Sequence, residues 1–195
     1  EREENPAAKD AIAQILINSR MCAMGHRPIC QDTGIVTVFL HVGMNVRWDA
    51  EMSLDDMVNE GVRRAYALPD NVLRASVLAD PDGARKNTGD NTPAIIHHKI
   101  VPGDTVEVYV AAKGGGSEAK SKFAMLNPSD SVVDWVMEQL PKMGAGWCPP
   151  GMLGIGIGGT AEKAMEIAKE ALLDPIDIQE LQARGPSNRA EELRL

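Results

Sequence analysis

Two cysteines in irregular loop segments are the residues of this sequence whose type and surroundings most suggest chemistry. Cys30 opens the segment Cys-Gln-Asp-Thr-Gly, which precedes a strand-like run. Cys148 is followed by Pro149 and Pro150, whose fixed φ angles stiffen the backbone behind the sulfur. A thiolate in such a setting suits a metal ligand, and proline next to a ligating cysteine is familiar in iron–sulfur sites. The alternative for Cys30 is a small buried cysteine in a turn.

A glycine-rich segment over residues 113–122 is the second feature that could bind a ligand. It reads Lys-Gly-Gly-Gly-Ser-Glu-Ala-Lys-Ser-Lys, so backbone N–H groups without a neighbouring Cβ can point at an anion, and lysines add positive charge. It nearly matches a phosphate-binding P-loop, but Ala119 replaces the second glycine and Asn127-Pro128 interrupts the helix that should follow. We therefore predict a carboxylate-binding loop. A nucleotide-binding module and a flexible hairpin tip are the alternatives.

Two further features of the sequence are weaker indicators of a binding site. Gly154, Gly156 and Gly159 match the GxGxxG pattern but lack the strands that a dinucleotide-binding motif requires on either side. We interpret these glycines as part of a strand that packs closely against a neighbour and leads into a helix. Arg74 could bind a carboxylate in a bidentate manner, although composition does not distinguish it from a solvated arginine.

The elements that must position these residues alternate along the chain. Apolar periodicity predicts helices over residues 7–24, 53–66, 129–140 and 160–172, and strands over 35–42, 94–101 and 105–112. The polar region 68–93 is interpreted as a long ordered loop, with room for one short element. This order predicts an α/β fold with a mixed sheet and flanking helices, or an α+β fold, in a single domain over residues 1–195.

Composition limits the classes of function. The formal net charge of −8 argues against general binding to nucleic acid or to an anionic membrane. No apolar run approaches the roughly 20 residues that cross a bilayer, and the charged start is unlike a secretory signal, so we expect a cytoplasmic protein. Three irregularly spaced cysteines argue against a disulfide framework.

Several dispersed segments together resemble the N-terminal part of the class I, iron–sulfur-dependent fumarate hydratases. The alpha subunits of tartrate dehydratases are similar. The resemblance covers the chain from about residue 12 to its end and is carried by ICQDTG (29–34), LRAS (73–76), RKNTGDNTPA (85–94), AAKGGGSEAKSK (111–122), NPSDS (127–131), GWCPPG (146–151) and LGIGIGGT (153–160). It implies hydration of fumarate to (S)-malate and the reverse reaction, a step of the tricarboxylic acid cycle. It also implies a 4Fe–4S cluster held by three cysteines, whose open iron acts as a Lewis acid.

The resemblance assigns expected roles to individual residues. Cys30 and Cys148 match two cluster ligands. A second group of residues matches positions that contact the dicarboxylate substrate in the family. These residues are Gln31, Asp32, Arg74, Gly115, Glu118, Ala119 and Lys120. Asp32 is also the candidate within this chain for the base that removes a C3 proton, although that base could lie elsewhere in the enzyme. Cys22 does not match the third ligand, which in relatives follows Cys148 at a distance, so we expect Cys22 to be a packing cysteine.

The same resemblance sets expectations for the whole enzyme. A missing third ligand implies that the chain is a fragment, a proteolysed product or one of two polypeptides, completed by a C-terminal domain or a beta subunit. A homodimer is expected. Tartrate or mesaconate hydro-lyases of the same family, and a non-catalytic domain that only donates cluster ligands, are the alternative functions.

Overall fold

The structure is a computed structural model that describes residues 3–30 and 32–195. The chain divides into two compact units, one of Glu1–Ser121 with Gly146–Gly151 and the other of Lys122–Ala145 with Met152–Leu195. That the 195 residues act as one domain stays a prediction.

The first unit is built on a three-stranded mixed sheet. Its helices are α1 (Pro6–Gly25), α2 (Leu54–Ala67) and the short α3 (Gly115–Glu118), and its strands are β1 (Ile35–Gly43), β2 (Leu78–Ala79), β3 (Lys86–Asn87), β4 (Ile95–Val101) and β5 (Val106–Lys113). The central strand β1 pairs in parallel with β4 and antiparallel with β5. Strands β2 and β3 form a separate two-stranded ribbon within the long polar region. The α/β prediction with a mixed sheet is thereby confirmed.

The core lies between β1 and α2. The sequence Ile-Val-Thr-Val-Phe-Leu-His-Val-Gly is rich in β-branched residues, and its alternate side chains point to one face of the sheet. Val36, Val38, Leu40 and Val42 pack there with Val62 and Tyr66 of α2, and with Ala94. Each fully buried aliphatic side chain contributes about 1.5–3 kcal/mol. This packing fixes β1, and with it the loop of residues 30–34 that precedes the strand.

Local caps explain where the first two helices begin. At α1, the Asn5 side chain accepts hydrogen bonds from the backbone N–H groups of Ala7 and Ala8. Ser53 accepts one from Asp56 N at the start of α2, as the sequence predicted. His26 adopts a left-handed conformation (φ 50°) and ends α1, so the chain leaves the helix toward Cys30.

The connection between β4 and β5 shows how the sheet places the glycine-rich segment. These strands are joined by a short turn, but they lie on opposite sides of β1. The turn passes the end of β1, where Gly43 N donates to Thr105 O and Asn45 N donates to Gly103 O. Because β5 runs antiparallel to β1, Lys113 at its end pairs with Ile35 at the start of β1. The glycine-rich segment therefore follows β5 next to the loop that contains Cys30.

The second unit contains four described helices: α4 (Val132–Lys142), α5 (Ala161–Glu170), α6 (Ile178–Arg184) and α7 (Arg189–Arg194). The extended segment before α5 packs directly on that helix. A Cβ on Gly154 would overlap Ala168 O, and one on Gly156 would overlap Ala164 O. The predicted close packing is therefore confirmed, but the predicted strand is wrong, because residues 152–157 form no strand pairing.

Among residues 3–30 and 32–195, no helix combines the length and apolar character needed to cross a membrane.

Candidate functional site

Cys30 and Cys148 face each other within the first unit. Their Sγ atoms are 2.9 Å apart although 118 residues separate them in the chain. Cys30 is half-buried and Cys148 is exposed. A hydrogen bond with Cys30, together with burial and nearby negative charge, raises the pKa of Cys148 because these interactions favour its protonated thiol. Asp32 N also donates to Cys30 Sγ at 3.4 Å. Two sulfur atoms thus converge at one point, with a backbone donor directed at one of them.

Two converging thiols are donor groups of the kind that hold an iron–sulfur cluster. Thiolates are the usual ligands of such clusters, and hydrogen bonds to the sulfurs tune them. No group of three or more His, Cys, Asp or Glu side chains suited to hold a metal ion occurs among the described residues. Cys22 makes different contacts, since its thiol donates to Pro28 O at 3.3 Å and to Asn18 Oδ1 at 3.7 Å. The described residues therefore bring together two candidate ligands, and Cys22 is not joined to them.

Asp32 is the residue to which the neighbouring loops are bound. Its Oδ1 accepts hydrogen bonds from Gly34 N at 3.1 Å and from Ser76 Oγ at 3.2 Å. Its Oδ2 accepts one from Gly115 N, also at 3.1 Å. The carboxylate thus joins its own loop to the segment after α2 and to the glycine-rich segment. Gly115 N, an expected substrate contact, donates to Asp32 here.

Arg74 approaches the same carboxylate without being buried. Its Nη2 lies 3.6 Å from Asp32 Oδ1, and 61% of its side chain is exposed. The backbone of Arg74 is held more firmly than its guanidinium. The buried Thr33 donates its Oγ1 to Arg74 O at 3.0 Å, and Ser76 Oγ lies 3.3 Å from the same oxygen. A fixed backbone with an exposed planar cation is suited to bind a carboxylate.

The glycines of the third segment allow close backbone approach. A Cβ on Gly114 would lie 2.8 Å from Asp32 O, and one on Gly116 would lie 2.5 Å from Gly146 O. The glycine-rich segment therefore packs between the two cysteine-bearing segments. We call this set the loop junction and define it as Cys30, residues 32–34, 74–77, 113–116 and 146–148, and Asn91.

Glu118, Ala119 and Lys120, which are also expected to bind substrate, lie at the edge of the loop junction. Glu118 Oε2 receives a hydrogen bond from Lys113 Nζ at 2.9 Å, and Ala119 N donates to Gly115 O. A Cβ on Gly146 would lie 2.9 Å from Lys120 Cε, so Lys120 runs along the segment that bears Cys148. Gln31 is outside the described residues. The roles in substrate binding and catalysis stay predictions for all seven residues.

Three residues that sequence reasoning left without a role hold these segments together. Thr33, Ser76 and Asn91 all occur in the motifs that carry the family resemblance. Asn91 is fully buried, and its side chain reaches both Gly34 and the segment after Arg74. The sequence signal was present in the motifs, but a polar loop composition does not predict a buried amide.

Comparison with known proteins identifies the family. The family model described as "Fumarate hydratase (Fumerase)" matches residues 1–194. The chain belongs to the fumarate hydratase (Fumerase) family. The resemblance inferred from the sequence motifs is thereby confirmed.

The curated relatives are dehydratase subunits. The chain is 34% identical over 181 residues to a Methanocaldococcus jannaschii protein named "Putative L(+)-tartrate dehydratase subunit alpha", covering 90% of this chain and 63% of the relative. It is 31% identical over 173 residues to the "L(+)-tartrate dehydratase subunit alpha" of Escherichia coli K12, covering 87% and 55%. The chain therefore spans little more than half the length of the relatives it matches.

Proposed function

We propose that this chain is part of a hydro-lyase that interconverts fumarate and (S)-malate. The observation that carries the proposal is the convergence of the Cys30 and Cys148 sulfurs, 2.9 Å apart, beside Asp32 and the Arg74 backbone, which share a contact with Ser76 Oγ. A family match over residues 1–194 supports the same class of reaction.

The described residues supply binding and proton-transfer groups for such a reaction. The exposed guanidinium of Arg74 binds one carboxylate of the substrate, and the ion pair with Asp32 sets the direction from which it does so. Asp32 is the proposed base for the C3 proton, since its two oxygens are held by three hydrogen bonds in a defined orientation. The backbone N–H groups near Gly115 and the side chain of Lys120 favour the second carboxylate.

Cys30 and Cys148 would hold a 4Fe–4S cluster as two of its thiolate ligands. When bound, the cluster supplies a Lewis acid for the oxygen at C2 of the substrate. The third thiolate is proposed to come from a C-terminal domain or a beta subunit, because the relatives are named alpha subunits and are longer than this chain. A homodimer, a cytoplasmic location and a place in the tricarboxylic acid cycle stay predictions.

L(+)-tartrate is the second candidate substrate. Its support is that the curated relatives, at 31–34% identity, are named L(+)-tartrate dehydratase alpha subunits. Tartrate carries an additional hydroxyl group at C3, so a tartrate enzyme needs a polar partner for this group where a malate enzyme does not. Mesaconate, with a methyl group, calls for an apolar contact at the corresponding position.

Anaerobic reconstitution of the full-length protein, with its partner polypeptide where one is required, tests the proposal. We expect a cluster absorbance and turnover of (S)-malate, measured beside L(+)-tartrate and mesaconate. Cys30→Ser and Cys148→Ser should each abolish the absorbance, because a serine oxygen is a poor substitute for a cluster thiolate. Asp32→Asn should keep the absorbance and lose turnover.

Cys22→Ser is the matched control, since Cys22 is hydrogen-bonded to Pro28 O and not to the other thiols. Retained absorbance in both cysteine variants would overturn the ligand assignment. Near-normal turnover of Asp32→Asn would remove Asp32 as the base. Binding of ATP without turnover of any dicarboxylate would favour the nucleotide-binding alternative.

A further inference from the structure

Asn91 is a fully buried amide whose side-chain hydrogen bonds all reach distant backbone. Its Oδ1 accepts from Ser76 N at 2.8 Å and from Val77 N at 3.1 Å. Its Nδ2 donates to Gly34 O at 2.9 Å. The relative exposure of Asn91 is 0%. Because unpaired buried polar groups are unfavourable, these three bonds bind two chain segments to each other as well as to Asn91.

The two segments that Asn91 joins carry the two charged groups of the proposed substrate site. Ser76 follows Arg74 by two residues, and Gly34 follows Asp32 by two residues. The amide therefore spans the backbone next to the guanidinium and the backbone next to the carboxylate. Its length sets how far apart these two backbones lie.

Only an amide satisfies all three backbone partners. The oxygen faces two N–H donors, and the nitrogen faces a carbonyl acceptor. An aspartate would keep the first pair of bonds but would place an oxygen against Gly34 O. An alanine would remove the side-chain hydrogen bonds to all three of these backbone groups.

The turn that presents Asn91 is itself fixed. Asn91 has φ 59°, a left-handed conformation that asparagine tolerates better than most residues. Asp90 Oδ1 accepts from Thr92 N at 3.0 Å and from Thr92 Oγ1 at 2.8 Å. Asp90 Oδ2 is also 3.1 Å from Arg63 Nε of α2. The turn is thus bound to a helix of the core, which makes Asn91 a firm attachment point.

We propose that Asn91 is a positioning residue that sets the separation of Arg74 from Asp32 and thereby the affinity for the dicarboxylate. This inference rests on the proposed function. Asn91 touches neither the proposed substrate nor the sulfurs and acts through the two backbones it joins. A shift of the guanidinium by about 1 Å is expected to weaken substrate binding and turnover by up to a hundredfold.

The test compares Asn91→Ala and Asn91→Asp with Asn59→Ala in the full-length, reconstituted enzyme. Asn59 lies on α2, where its Oδ1 accepts from Ala94 N and its Nδ2 donates to Asp55 O. Removing it also deletes hydrogen bonds of a half-buried side-chain amide, but none to the segments of Arg74 or Gly34. We expect the KM for the turned-over dicarboxylate to rise about tenfold to a hundredfold in both Asn91 variants and to stay unchanged in Asn59→Ala. Cluster absorbance per protein should be the same in all three.

Hydrogen exchange gives a readout that does not depend on turnover. The amides of Ser76 and Val77 should exchange faster in Asn91→Ala, while Asn91→Asp should keep them protected because it retains the accepting oxygen. The aspartate variant also guards against misfolding of the alanine variant, since it keeps two of the three hydrogen bonds.

Several results would overturn the inference. A wild-type KM in Asn91→Asp would show that the bond to Gly34 O does not position the site. A loss of stability in Asn91→Ala without a change in KM would make the residue merely structural. If the wild-type enzyme turns over no dicarboxylate, the proposed function fails, and unchanged exchange at Ser76 and Val77 would then reject the role of Asn91 by itself.

Discussion

The loop junction and the α6–α7 segment are both rich in polar contacts, but the contacts differ in the chain distance they span. In the loop junction, hydrogen bonds join residues that lie 44, 57 and 83 positions apart. In the α6–α7 segment, Glu191 accepts from Arg184 and from Ser187, which are seven and four positions away. The first set requires the folded sheet, whereas the second could form within a short piece of chain.

This difference indicates which region is sensitive to distant changes. Closing a contact over a long stretch of chain costs conformational entropy that the core must supply. Local contacts in a helix pair need little of that support. We therefore expect substitutions in the loop junction to have effects that spread between its segments, and substitutions in the α6–α7 segment to stay local.

The largest expected effect on stability follows Gly34→Ala. Gly34 is buried with φ 56°, and a Cβ there would overlap Lys113 O. The left-handed conformation costs a residue with a side chain about 1–2 kcal/mol, and forced backbone shifts in a packed site add about 1–3 kcal/mol. Chemical denaturation should show that the free energy of unfolding falls by about 3 kcal/mol. The amides of the glycine-rich segment should also become less protected from hydrogen exchange.

Gly89→Ala is the control for this change. Gly89 has φ 82°, but no heavy atom lies within 4 Å of its Cβ position. In Gly89→Ala, the free energy of unfolding should fall only by the cost of the left-handed conformation, about 1–2 kcal/mol. Equal losses in the two variants would contradict the idea that close approach of the segments holds the loop junction together.

An intermediate effect is expected from Arg74→Ala. The guanidinium is 61% exposed, so its loss should change substrate affinity more than stability. Hydrogen bonds to charged groups contribute about 1.5–3 kcal/mol, which corresponds to a rise in KM of roughly 10- to 150-fold. Arg74→Lys should fall between the wild type and Arg74→Ala, because lysine cannot make the bidentate contact.

Steady-state kinetics of the reconstituted enzyme measures this effect, with Arg47→Ala as the control. Arg47 is exposed and belongs to the same unit, outside the loop junction. An equal rise in KM for Arg47→Ala would indicate a general charge effect, and an unchanged KM for Arg74→Ala would remove Arg74 from the substrate site.

The smallest and most local effect concerns Glu191 in the α6–α7 segment. Hydrogen bonds from Arg184, and then from Ser187, lower the pKa of this carboxyl. A lowered pKa means that the ionised carboxylate stabilises the folded segment. This stabilisation is fully present above the ordinary pKa of a glutamate, near 4.3. It is lost as the pH falls from that value toward the lowered pKa. Amide protection within residues 178–194 should therefore fall on acidification, with little change in the loop junction.

In Glu191→Gln, amide protection within this segment should be low at neutral pH as well. Acidification should then change that protection no further. Glu192→Gln is the control, since the Glu192 carboxylate pairs with Arg189, three residues away, at an exposed position. A wider loss of protection that reaches the loop junction would contradict the separation between the two regions.

Much of the fold could be predicted from the sequence because its causes are local. The N-cap Ser53 and the apolar periodicity located α2, and the β-branched run of residues 35–42 located β1. The glycines at 154 and 156 indicated close packing correctly, but not whether the neighbour was a strand or a helix. The apolar patterns of β4 and β5 predicted that both are strands, but not that β1 lies between them. Strand order depends on pairing between distant parts of the chain.

For the candidate site, the sequence by itself determined the chemical groups. The thiols, the carboxylate of Asp32, the guanidinium of Arg74 and the glycines without Cβ atoms are properties of residue types in recognisable motifs. Only the tertiary structure decided that Cys30 faces Cys148 and that Asn91 joins Gly34 to the segment after Arg74. The physical reason is that such contacts form when the packed sheet brings distant loops together, and no local pattern in the chain encodes the partner of a buried amide.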